Sequence, residues 1–183
     1  DTLFTRLDAD DTGVTFNNFV EEDADNNVLG YGYFYNGGGV AAGDFNNDGL
    51  VDLYFTGNMV ADKLYLNTTK KGESITFEDI TEAAGIKHSG WKTGVSVVDI
   101  NNDGWLDIYV SRSGAEDPNL RRNLLYINQG KVENGVRFVE KAAEYGLDDP
   151  SYTTQTAFFD YDKDGDLDCF LLNHSVQEYA GFS

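Results

Sequence analysis

The chain has 183 residues, 40% hydrophobic and 14% aromatic, enough apolar material for one substantial core or for a piece of a larger assembly. Its formal charge of −19, from 32 acidic and 13 basic side chains, excludes nucleic-acid binding and docking on anionic membranes, both of which need a basic surface. Cations are the natural partners. No apolar run reaches the ~18 residues of a membrane helix. No secretory leader is visible, and a start at Asp1 rather than Met suits a processed product.

In chain order, a first strand is expected at about residues 14–17, where Gly13-Val14-Thr15 leads into Phe16. Similar strings precede Phe77 and Phe138, each 61 residues further on. A long approach at 21–36 carries Tyr31, Tyr33 and Tyr35. Residues 40–45 and 51–56 then flank an Asn/Asp/Gly turn, and 63–67 and 75–79 flank a polar one. Leu53 and Phe55 alternate with Asp52 and Tyr54 at the strand period of two. One helical turn is expected near 81–84.

The set then repeats. Tyr65 and Asn67 return as Tyr126 and Asn128, Ala83-Ala84-Gly85-Ile86 returns as Glu144-Tyr145-Gly146-Leu147, and Trp91 as Tyr152. Four short strands recurring at this length predict an all-β fold, a β-propeller of four-stranded blades, which closes with ~4 to 8 blades. Blades are expected at about 38–80 and 93–140, the start of a third at about 155–183, and the strand at 14–17 as the outer strand of a neighbouring blade. That is too little to close a ring, so the chain is expected to be part of a longer protein.

Three copies of D-x-[DN]-x-D-G-x-x-D occupy the first hairpin of each unit: Asp44 to Asp52, Asp99 to Asp107 and Asp160 to Asp168. Calcium takes ~6 to 8 oxygens, which a tight loop supplies from side chains at positions 1, 3, 5 and 9 and a backbone carbonyl at 7, with glycine at 6 for the sharp turn. The predicted side-chain ligands are Asp44, Asn46, Asp48 and Asp52; Asp99, Asn101, Asp103 and Asp107; and Asp160, Asp162, Asp164 and Asp168. The carbonyls of Leu50, Trp105 and Asp166 complete the three shells, for about three ions. An Asx-rich turn without metal is the bland alternative, but crowding carboxylates three times over makes little sense without a cation. Magnesium prefers to keep its waters, and zinc would need paired His or Cys. An EF-hand needs Glu at position 12, where this chain has Phe55, Val110 and Leu171.

These strings, with Gly39-Val40-Ala41-Ala42-Gly43, Gly94-Val95-Ser96-Val97-Val98 and Thr156-Ala157-Phe158-Phe159 leading into them, resemble the FG-GAP or VCBS repeats of integrin α-chain propellers and of many bacterial exported proteins. The segment Phe77-Glu78-Asp79-Ile80-Thr81-Glu82-Ala83-Ala84-Gly85-Ile86 looks like the bacterial surface-protein branch related to ASPIC/UnbV-containing proteins. The chain departs from the pattern in lacking a Pro after Gly-Val-Ala, in its long first approach, and in showing no ASPIC/UnbV segment. The resemblance implies about seven blades, calcium binding, and an extracellular or cell-surface location with a lipid anchor upstream.

Strand parity puts the loops into each first strand and out of each second strand on the face opposite the metal. Tyr31, Tyr33, Tyr35, Trp91, Lys92 and Tyr152, with Asn58, Arg112 and His174, are the candidate contacts for a protein or glycan ligand, or else they pack between blades. Arg112, Arg121 and Arg122 read as a solvated basic face. Cys169, inside an apolar strand, reads as a small buried hydrophobe. His88 and His174 show no spaced nucleophile. A noncatalytic binding module is the first reading, and a propeller-scaffold carbohydrate-active enzyme, such as a polysaccharide lyase with its active site mostly outside this chain, is the alternative.

Overall fold

The computed structural model describes residues 3–133 and 135–175. Among these, ten strands form three antiparallel sheets in which sequence neighbours pair. The first sheet is β1 (Val40–Gly43), β2 (Asp52–Phe55), β3 (Lys63–Asn67) and β4 (Phe77–Asp79). The second is β5 (Lys92–Val98), β6 (Asp107–Arg112), β7 (Leu124–Val132) and β8 (Gly135–Glu140). The third pairs β9 (Thr153–Phe159) with β10 (Asp168–Asn173). The rest of the expected third unit, 176–183, lies outside the described residues.

The two-residue period of the strands explains how the sheets stack. On β6 and β7, Ile108, Val110, Leu124 and Tyr126 face the first sheet and share one core with Phe45, Tyr54, Leu64, Ile80 and Ala84. The intervening Tyr109, Leu125 and Ile127 face the other way and pack with Phe158 and Leu171 of the third sheet. Every residue of β6 is buried, because this inner strand is packed on both faces.

Hydroxyl side chains stitch neighbouring sheets together, from Thr56 at the end of β2 and from Thr93 and Ser96 on β5. Thr56 Oγ1 donates to Thr93 O (2.6 Å), Thr93 Oγ1 donates to Thr153 O (2.7 Å), and Ser96 Oγ donates to Thr156 O.

Residues 14–17 form no strand, and the 61-residue register read from Phe16 does not hold there. Three short helical turns end in a left-handed glycine: α1 (Ala9–Thr12) at Gly13, the turn at 81–85 at Gly85, and α3 (Ala142–Tyr145) at Gly146. Gly13 presses on Phe77 O, 2.7 Å from where a Cβ would stand, as Gly85 does on Phe138 O at 3.0 Å. Phe16, three residues past its glycine, stacks on Phe55 at 5.1 Å; His88, three past Gly85, packs by Tyr126 at 5.7 Å. Phe16 is therefore the counterpart of His88, and the long approach at 21–36 displaced the apparent register. The expected turn near 81–84 is present as a turn, with Ala84 N donating to Ile80 O. A further helix, α2 (Pro118–Arg121), follows its Asp117 cap.

Candidate functional site

The first two aspartate loops fold to one plan, and the third keeps it except that position 4 rather than position 5 donates to the first aspartate. In the first, Asp48 N–H donates to Asp44 Oδ1 (3.0 Å) and Gly49 N–H to Asp44 Oδ2 (2.8 Å). In the second, Asp103 and Gly104 make the same bonds to Asp99 at 3.0 and 2.9 Å. In the third, Lys163 and Gly165 bond Asp160 at 2.6 and 3.2 Å. The N–H groups of Leu50, Trp105 and Asp166 donate to the position-5 carboxylate at 2.8, 2.9 and 3.1 Å. Position 4 is left-handed in all three (Asn47, Asn102, Lys163), and so is the glycine at 6 (Gly49, Gly104, Gly165), a curl that turns the acidic side chains inward.

Carboxylate oxygens of Asp160, Asp162 and Asp168 lie within 4.8 Å of one another. That is the spread of ligands about one ion at ~2.3 to 2.6 Å, so the donor set and spacing fit a hard divalent cation. In the other loops position 3 is an amide, and Asn46 and Asn101 donate Nδ2 to Asp48 and Asp103 at 2.9 and 2.8 Å. Their Oδ1 atoms accept from the Asp48 and Asp103 N–H groups.

Position 9 ties each loop to its sheet. Asp52 accepts from Phe45 N and Asn67 N, both at 2.8 Å, and Asp107 accepts from Ile100 N (3.1 Å) and Asn128 N (2.8 Å). Both carboxyls are fully buried, and burial outweighs these donors and pushes each pKa up to about 6. Asp168 accepts from Tyr161 N at 2.7 Å, and among the described residues no third strand pairs beside it.

Asn67 and Asn128 are the residues that ligand spacing overlooks. Their Nδ2 groups donate to Val51 O and Leu106 O, position 8 of the adjoining loop, both at 3.1 Å. Asn128 also donates to Phe45 O, position 2 of the first aspartate loop, at 2.9 Å. Their 61-residue recurrence was the available signal.

At the opposite ends of the hairpins, the long first approach folds over the second and third sheets and gathers an aromatic cluster. Tyr31 meets Trp91 edge-on at 5.5 Å and Tyr33 at 6.1 Å; Tyr33 and Tyr152 flank His174 at 4.1 and 5.1 Å. Tyr31 Oη donates to Ser113 Oγ (2.9 Å) and lies 3.2 Å from His174 Nε2, which is 2.9 Å from Ser113 Oγ. His174 thus has a hydroxyl neighbour after all, but Ser113 is fully buried. Burial raises the Tyr31 pKa. Tyr35 stands apart, bonded to Glu22 at 2.5 Å.

Several predicted contacts are spent inside the fold. Lys92 is buried, its Nζ 3.3 Å from Asp62. Arg112 is buried beneath the Ser89 and Arg122 carbonyls, to which its guanidinium donates at 2.8 and 3.2 Å. Asn58 is buried between Asn18 and Lys92 O. Arg121 covers the Tyr152 ring at 3.9 Å and donates to Ala115 O and Pro150 O, and Arg122 pairs with Asp148 at 2.7 Å, so the basic run is a staple between connections. Cys169 is half-buried, which raises its thiol pKa.

The fold and loops define a repeat protein of antiparallel sheets with aspartate-rich hairpins. Residues 44–110, from the first loop into β6, match the FG-GAP-like repeat family. The chain is also similar to cartilage acidic protein 1 of Xenopus tropicalis, 29% identical over 142 residues that cover 77% of this chain and 21% of that protein. It spans about a fifth of that relative's length. Among the described residues no helix is long and apolar enough to cross a membrane.

Proposed function

We propose that the chain is part of a calcium-stabilised β-propeller at the cell surface or outside the cell, a noncatalytic module that binds a protein or glycan. Residues of about 38–80 and 93–140 are two blades, and those from about 155 begin a third. The observation that carries this reading is the pair of bonds common to all three aspartate loops, glycine N–H to the first aspartate and position-7 N–H to the third acidic position, with three carboxylates gathered at the third loop. Each loop takes one calcium, through Asp44, Asn46, Asp48, Asp52 and Leu50 O, and their counterparts in the other two. The ion neutralises carboxylates that otherwise repel, and so fixes the hairpin.

Ligand recognition belongs to the opposite face, where Tyr31, Tyr33, Trp91, Tyr152 and His174 span three sheets. Aromatic rings held by one another in the connections at the strand ends suit stacking on a sugar or anchoring a partner side chain. A second reading, a polysaccharide lyase, draws on the Tyr31 Oη to His174 Nε2 contact of 3.2 Å, an acid and base within proton-transfer reach. A glycan array and a lyase assay on the full-length calcium-loaded protein separate the two. Binding lost in Tyr33→Ala without turnover supports the module; turnover abolished by His174→Ala refutes it.

A further inference from the structure

Between the aromatic cluster and β1 the chain runs Tyr35-Asn36-Gly37-Gly38-Gly39 in no helix or strand, with a bend at Asn36. Asn36 is exposed, and its backbone N–H donates to Tyr33 O at 3.0 Å. Gly37 is held through its carbonyl, which accepts from Asn58 Nδ2 at 3.1 Å, and stands at φ +78°. Among the described residues no hydrogen bond engages the Asn36 side-chain amide, and none takes the Gly37 N–H. That nitrogen, with no Cβ beside it, can turn toward Asn36 Cγ. The three Asp-Gly pairs of the aspartate loops hold the same atoms locked. Gly49 and Gly104 N–H donate to Asp44 and Asp99, and Gly165 N–H donates to Asp160. The carboxylates just before them, of Asp48, Asp103 and Asp164, accept from the N–H groups of Leu50, Trp105 and Asp166.

We propose that Asn36 is a site of spontaneous deamidation in the folded protein. Hydroxide takes the Gly37 amide proton, and the nitrogen bonds to Asn36 Cγ as the bond from Cγ to Nδ2 breaks and ammonia leaves. Water then opens the five-membered imide at either carbonyl. One product is aspartate; the other is isoaspartate, whose backbone runs through the former side chain. No oxidant or cofactor takes part. Asn36 lines a cavity of about 240 Å³ with Tyr31, Gly38, Thr93 and Thr154, and no charged side chain lines it. The reaction therefore sets a carboxylate in a neutral pocket beside Tyr31 and takes the formal charge from −19 to −20. It depends neither on metal in the aspartate loops nor on what the aromatic face binds.

The test incubates the full-length protein at mildly alkaline pH in heavy-oxygen water, both folded and in concentrated urea, and maps its peptides by mass. Each imide opened by water takes up one heavy oxygen, so Asn36 and the Asp-Gly pairs are read on one scale. In the folded protein Asn36 should convert within about three-fold of its rate in urea, because no local structure has to open first. Asp48 and Asp103 should slow about a hundred-fold or more on folding, since the bonds at glycine and carboxylate must both break. Asn36→Gln should lose the label on its peptide. The other Asn-Gly pair of the chain, at 134–135, falls on a separate peptide. Asn36 unchanged in the folded protein, or slowed on folding as much as Asp48, overturns the proposal.

Discussion

Replacing Asn128 by Ala should cost far more than the same change at Asn67, although the two occupy equivalent places in successive repeats. Asn128 is buried; its amide holds Phe45 O and Leu106 O, and its Oδ1 accepts from Gly130 N at 2.9 Å. Truncation removes three bonds worth about 1 kcal/mol each and strands buried partners with no water to replace the amide, for about 3 kcal/mol in all. Asn67 bonds only Val51 O and Thr69 N, at a more exposed edge, and its loss should cost about 1 kcal/mol. At roughly 2 to 4 °C per kcal/mol for a domain of this size, Tm should fall by about 6 to 12 °C and 2 to 4 °C respectively. Calorimetry and urea denaturation in saturating calcium measure both. Equal losses would show that the bond from Asn128 to Phe45 across the sheets contributes nothing.

Chelation should lower Tm and millimolar calcium should restore it, since extracellular-type calcium sites bind at roughly 10⁻⁴ to 10⁻³ M; a melt indifferent to both would refute the metal reading. Asp103→Ala should remove about one calcium from the calorimetric stoichiometry and leave the loops at Asp44 and Asp160 loaded. The buried carboxyls of Asp52 and Asp107 titrate near 6 rather than 3.8. Between those values the folded state holds protons that the unfolded chain has released, so metal-free stability should fall as pH rises from 4 to above 6, by up to about 3 kcal/mol per group. Calcium takes the proton's place, so saturating metal should flatten that slope; urea midpoints from pH 4.5 to 7.5, with and without calcium, measure it. Thr93→Val keeps the shape but deletes the bonds to Thr153 O and Ser111 O, and should cost about 1 to 3 kcal/mol of stability by the same denaturation assay.

The antiparallel sheets were legible because alternating apolar residues such as Ile108 and Val110 against Tyr109 carry the strand period unmistakably. The aspartate loops were legible because a tight curl admits few sequences. The first register was misread because Gly13-Val14-Thr15-Phe16 mimics the approach to Phe77 in four letters, while its structural role is set by the glycine that rests on Phe77 O. Sequence also placed Lys92 and Arg112 on the surface, since nothing local reveals that Asp62, thirty residues earlier, draws Lys92 inward. The cluster of Tyr31, Tyr33, Trp91, Tyr152 and His174 was foreseen as a set of loop residues, but their assembly depends on how far the 21–36 segment reaches over neighbouring sheets.

The hydroxyl stitching between sheets has a direction. Thr56 gives its proton forward to Thr93 O, and Thr93 gives forward to Thr153 O, so the stack has a giving end and a receiving end. Such head-to-tail contacts never pair a surface with itself; they propagate, either closing on themselves or winding open. A module that extends the stack through the same seam joins it in one sense only.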